Sequence, residues 1–128
     1  MSELIRIEYR ELSANSAGSQ SLPSLRDVAS AQPQENEEDI ARYLETAPAY
    51  SGLGKIVGDA LDPSANAVLF PGRRTDGLYI WPSELAYYVR KYHIRLPQDL
   101  IERMASLNWR PPADDAIDWE KILHRPVQ

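Results

Sequence analysis

The chain opens on strict alternation. Between Glu3 and Arg10, Ile5, Ile7 and Tyr9 fall on one side of an extended segment, and Arg6, Glu8 and Arg10 on the other. Period-two spacing predicts a half-buried strand. A helical rhythm begins at Asn36. Ile40, Tyr43, Leu44 and Ala47 share one face at i, i+3, i+4, i+7 spacing, with Asn36 as a cap, acids in the first turn and Pro48 as a stop. Between these elements, residues 13–35 are rich in small polar residues and read as a flexible loop, with one apolar docking point at Leu22, Leu25 and Val28.

Beyond Pro48 the pattern is shorter and sharper. Ile56 and Val57 read as a core strand entered through glycines, and Ala67–Phe70 as a short buried strand broken by Pro71-Gly72. Asp76-Gly77 predicts a tight hairpin, because glycine accepts positive φ without a steric penalty. Leu78, Tyr79, Ile80 and Trp81 then form the return strand, with Leu78 and Ile80 on one side and Tyr79 and Trp81 on the other. Two non-polar faces predict a central strand. Pro82 and Ser83 switch the chain into a helix whose stripe is Leu85, Tyr88, Val89 and Tyr92, with Arg90 and Lys91 in the last turn. A further helix follows Pro97, with Leu100, Ile101, Met104 and Leu107 inside. The tail is irregular over 108–116, and a last short helix carries Trp119, Ile122 and Leu123. The order predicts one α+β domain over 1–128: a small, mostly antiparallel sheet of three to four strands with three to four helices packed on it.

Composition narrows the chemistry. The chain of 128 residues has no cysteine, which removes thiolate ligands, thiol nucleophiles and disulfides. No basic-then-apolar leader or long apolar run is visible, so the expected compartment is the cytoplasm and no membrane span is expected. Residues 1–62 hold 5 Lys and Arg against 11 Asp and Glu, a net of −6, and residues 63–128 hold 9 against 8, a net of +1. This acid balance argues against gripping nucleic acid through its phosphates, and suits a basic protein partner.

Catalytic candidates are few. His93 and His124 stand alone, without HxxxH, HxH or HExxH spacing, so no metal centre or cofactor is expected. Gly52, Gly54 and Gly58 match neither GxGxxG nor a P-loop. Asp114, Asp115 and Asp118 read as caps. One pocket remains open to a small-molecule binder or small enzyme: Arg73, Arg74, Asp76 and His93 beside the hairpin.

The run Thr75-Asp-Gly, Trp81-Pro82 and Leu85-Ala-Tyr-Tyr-Val89, followed by His93 and Pro97, resembles a family of small uncharacterised bacterial proteins, largely actinobacterial. In that family a TDG hairpin ending in Trp-Pro runs into a LAYY helix. Ala60-Leu-Asp-Pro63 resembles part of the same pattern, so the resemblance covers about residues 40–105. It implies a shared fold and no settled activity. By type, the chain also resembles bacterial toxin-immunity proteins of contact-dependent inhibition. The leading expectation is therefore a non-enzymatic protein that binds and neutralises a cognate toxin, basic and of nuclease type. The expected contact residues are Glu35, Glu37, Glu38, Asp39, Asp59, Asp62, Tyr79, Trp81 and Tyr87. The alternative is a structural or regulatory subunit that acts by self-association.

Overall fold

The computed structural model describes residues 4–12, 22–52 and 55–123. Residues 13–21 of the expected loop, Gly54 and His124 lie outside these described residues. Among the described residues, strands β1 (Ile5–Arg6), β2 (Ala49–Ser51), β3 (Arg73–Thr75) and β4 (Tyr79–Pro82) form one sheet in the order β1-β4-β3-β2. β1 runs parallel to β4, while β3 is antiparallel to both β4 and β2. Helices α1 (Glu37–Thr46), α2 (Leu85–Tyr92), α3 (Gln98–Ser106) and α4 (Trp119–Leu123) complete an α+β fold whose mixed sheet is mostly antiparallel. No helix among the described residues is long and apolar enough to cross a membrane.

β4 is central, as two non-polar faces require, and all of Tyr79–Pro82 is buried. Tyr79 and Trp81 face the main core with Ile40, Tyr43 and Leu44 of α1 and Leu85, Tyr88 and Val89 of α2. The Trp81 indole N–H donates to the Leu44 carbonyl at 3.0 Å, and its ring lies 6.0 Å from that of Tyr43. Each such large side chain removed from water contributes about 1.5–3 kcal/mol. Ile80 is buried on the opposite face. Leu78, expected beside Ile80, is instead exposed, because β4 begins only at Tyr79 and Leu78 belongs to the turn.

The helical stripes hold, but their ends are built differently from the expected caps. Asn36 sits at φ 59 with no side-chain cap bond; its amide donates to Asp39 instead. Glu84, not Ser83, occupies the cap position of α2 and makes no capping bond. Ser83 ties the helix entry to the sheet, its N–H donating to the Gly72 carbonyl at 2.9 Å. Gly72 has φ 149, and a Cβ there would lie 2.6 Å from the Ser51 carbonyl oxygen, so only glycine fits this close crossing of β2 and β3. Arg90 leaves the last turn of α2 to bond both Glu38 and Glu45 of α1 at 2.8–3.0 Å, clamping the two helices.

Residues 22–35 dock rather than swing. Leu25 is fully buried, its N–H donates to the Glu11 carboxylate at 2.8 Å, and Ser24 also bonds that carboxylate. Ser30 N–H donates to Tyr92 O, and Arg95 N–H to Val28 O, so the segment is stitched to the exit of α2. The irregular 108–116 stretch starts with two left-handed residues, Asn108 and Trp109, at φ 58 and 61.

Candidate interaction surface

Two buried carboxylates organise the molecule. Asp76, in the hairpin turn, accepts the N–H groups of Leu78 and Tyr79 on Oδ1 at 3.0 and 2.7 Å. Its Oδ2 accepts from the Tyr43 hydroxyl and from Arg103 Nε at 2.8 Å, and Arg103 Nη2 reaches the Asp76 carbonyl at 3.0 Å. Thr75, also fully buried, donates to Tyr79 O at 2.6 Å and accepts from Gly77 N–H at 3.0 Å. Gly77 supplies the positive φ, 93°, that the turn needs. The Thr-Asp-Gly run is thus a bolt joining α1, α3 and the hairpin. Burial, reinforced by the Asp76 carboxylate, pushes the Tyr43 hydroxyl far up, so it stays a donor.

Asp59 does the same for the segment after β2. Its Oδ2 accepts from the Tyr92 hydroxyl at 2.6 Å, the Tyr87 hydroxyl at 2.7 Å and Lys91 Nζ at 3.3 Å. Its Oδ1 accepts from Leu61 and Asp62 N–H at 2.7 and 3.1 Å. Lys91 Nζ sits 5.7 and 5.5 Å from the ring centres of Tyr87 and Tyr92. Burial works to raise the Asp59 pKa, but the bonds from Tyr92, Tyr87, Leu61 and Lys91 prevail and hold it down, at about 2 against an ordinary 3.8. A carboxylate depressed on folding stabilises the fold above its unfolded pKa and loses that contribution as pH falls through its folded pKa. Asp59 therefore contributes about 2 kcal/mol at neutral pH, lost between about pH 4 and 2. In acid titrations followed by urea unfolding, Asp59→Asn is expected to flatten this part of the profile. An unchanged slope between pH 4 and 2 would contradict it.

The expected contact residues are mostly engaged elsewhere. Trp81 and Tyr79 lie in the core and present almost no surface, and Asp59 is enclosed by α2. Glu37 meets His93 at 2.8 Å, Glu38 pairs with Arg90, Asp39 pairs with Arg42, and Asp62 accepts from Ser64. Glu35 is exposed. The acids of the first half are thus largely answered within the chain, Glu37 and Glu38 by bases far off in sequence, Asp39 by Arg42 three residues on and Asp62 by the Ser64 hydroxyl. Arg73, Arg74, Asp76 and His93 do not converge. Asp76 is locked by Arg103, His93 ends α2 against Glu37, and Arg73 lies 3.9 Å from Glu8. Only Arg74 opens on the groove described next. No group of acids and histidines that could hold a metal ion exists among the described residues.

The exposed apolar surface lies where buried strands were expected. Val57 and Leu69 exchange backbone bonds at 2.9 and 2.8 Å, an isolated antiparallel bridge outside the sheet. With a single bridge the arm has one covered side. Leu69 turns in, while Ile56, Val57, Val68 and Phe70 stand 59%, 40%, 61% and 67% exposed. Beside the arm runs an open groove of about 450 Å³, floored by Leu69, Ala86 and Tyr87 and walled by Phe70, Glu84 and Arg90. Of the expected contact residues, Tyr87 alone lines it. The apolar runs themselves were legible; their exposure was not, since among the described residues no further strand pairs with the bridge between Val57 and Leu69. The chain matches no protein-family model, no curated protein and no solved structure.

Proposed function

We propose that this protein works by binding another protein, and that its partner is a basic bacterial toxin which it neutralises by occlusion. The observation that carries the binding role is the arm, where Ile56, Val57, Val68 and Phe70 are all exposed beside a groove. Soluble proteins rarely leave such apolar surface together without a partner to cover it. Hydrophobic anchors beside charged side chains are the usual make-up of an interface. The net charge of −5 supports a basic partner, through faster encounter, even though many of the acids are paired locally.

The test is co-expression with the gene product encoded just upstream, read by cell survival and by co-elution of the purified pair. A Val68→Ser/Phe70→Ser double variant is expected to weaken the complex by roughly a hundredfold. Its melting temperature should stay within a few degrees, because the replaced side chains are exposed. Failure to co-elute, or unchanged binding by the double variant, would remove the proposal. A second reading rests on the same arm: it could be covered by another copy of the chain. Sedimentation of the isolated protein then gives a dimer that the double variant abolishes.

A further inference from the structure

The groove holds both signs of charge, and their pairing states differ. Arg90 is answered by Glu38 and Glu45, with four bonds between 2.8 and 3.0 Å. Lys91 is answered by Asp59. Arg74 donates to the Ala47 carbonyl at 2.7 Å, and its charge also acts on Glu45. Glu84 is the exception. No side chain among the described residues donates a hydrogen bond to it, and its own backbone N–H is its one hydrogen-bond donor. Arg73 acts on it only through space. The same groove is lined by the apolar side chains of Phe70, Leu69 and Ala86 and by the ring of Tyr87. Burial accordingly pushes the Glu84 carboxyl above its ordinary value.

Among the described residues Arg73 meets only Glu8, at 3.9 Å, and its Nη1 has no hydrogen-bond partner, but it does not line the groove. A half-buried carboxylate in a largely apolar groove whose lining cations Arg74, Arg90 and Lys91 are each bonded to other groups is complementary to an incoming cation. We infer that the groove receives a lysine or arginine side chain of the partner, its ammonium or guanidinium bonded to Glu84 and its flanking apolar residues packed on Phe70 and Leu69. This rests on the protein-binding reading above and adds the chemistry of the anchor. The long aliphatic stem of Lys or Arg suits such a site, since it lies along apolar surface while the head reaches the carboxylate. A charge-assisted bond formed away from bulk water is stronger than its exposed counterpart. One anchor of this kind, set in an otherwise apolar contact, discriminates partners by leaving Glu84 unpaired in the wrong complex.

The probe is N-acetyl-Leu-Lys-Leu amide, compared with the peptide carrying norleucine in place of Lys. Each is titrated into the isotopically labelled full chain and followed by amide shifts. The Lys peptide is expected to move the signals of Ser83, Glu84, Ala86 and Tyr87 and to bind about tenfold tighter than the norleucine peptide. Added salt should shrink that preference. Glu84→Gln should abolish it without weakening norleucine binding. Because that change removes a desolvated charge at constant shape, the variant is expected to fold at least as stably. Glu84→Lys should instead prefer a peptide with Glu at the central position. Equal binding of the two peptides, or a preference that survives Glu84→Gln, overturns the inference. If both peptides bind equally and Phe70→Ser weakens both, the apolar binding role stands and only the basic anchor falls. If neither peptide binds, the anchor falls, and co-elution with the gene product encoded just upstream decides the wider role.

Discussion

Asp76→Ala is expected to cost about 3 kcal/mol or more of folding stability, the largest single loss on the polar side of this molecule. The change removes one carboxylate and strands several partners at once. Tyr43 loses an acceptor inside the core, the hairpin N–H groups of Leu78 and Tyr79 lose theirs, and Arg103 loses its counter-charge. The Asp76 side chain is fully enclosed while Arg103 is a quarter exposed, so water can rescue the arginine but not the tyrosine or the turn. Asp76→Asn separates these contributions. Its amide oxygen still accepts the turn N–H groups, so the remaining loss reports the Arg103 and Tyr43 contacts. Urea unfolding of both variants at neutral pH is the measurement. An Asp76→Ala protein within about 1 kcal/mol of the parent would show that the bolt is not structural.

Trp81→Ala is expected to cost about 3–5 kcal/mol, as for other buried aromatic truncations. Trp81 is completely enclosed, its ring tilted against that of Tyr43 and its indole bonded to the Leu44 carbonyl, so the cavity opens at the junction of sheet and α1. Trp81→Phe keeps most of the packing and loses only the indole N–H, which leaves a buried carbonyl without its donor. That variant should lose about 1–3 kcal/mol. For a domain whose total stability is of order 5–15 kcal/mol, the alanine variant sits near the edge of folding at 37 °C. If Trp81 were a partner anchor, truncation would spare stability and abolish binding; thermal melts alongside the co-elution assay distinguish the two.

The elements that were legible in the sequence are those fixed by local periodicity. Ile40, Tyr43 and Leu44, then Leu85, Tyr88 and Val89, and Leu100 with Met104, are buried because a helix turns each set to one side. Asp76-Gly77 announced its turn because few residues accept the required backbone angles. What escaped was set by distant neighbours. Asp59 resembles an exposed acid beside a turn until Tyr87, Lys91 and Tyr92 arrive from α2. Glu38 looks like part of a field for a basic partner until Arg90 reaches it. Val68 and Phe70 read as core because nothing local says that the sheet stops at β2 and leaves their arm outside it. The candidate site was hidden for the same reason: the exposure of Phe70 and the surroundings of Glu84 depend on which elements distant in sequence pack beside them.

The parallel pairing of β1 with β4 has a kinetic consequence. The β3–β4 hairpin closes over a few residues, whereas Ile5 must find Tyr79 with most of the preceding chain looped between them. Closing so long a loop costs more chain entropy, and contacts of high sequence separation form slowly. The N-terminal strand is therefore expected to close last, over a sheet already assembled. Until it does, Tyr79–Pro82 presents an open, non-polar edge, the kind that recruits other chains. β1, only two residues long, thus acts as a latch against aggregation, and the brief interval before it shuts is when a crowded cell poses the greatest hazard to this protein.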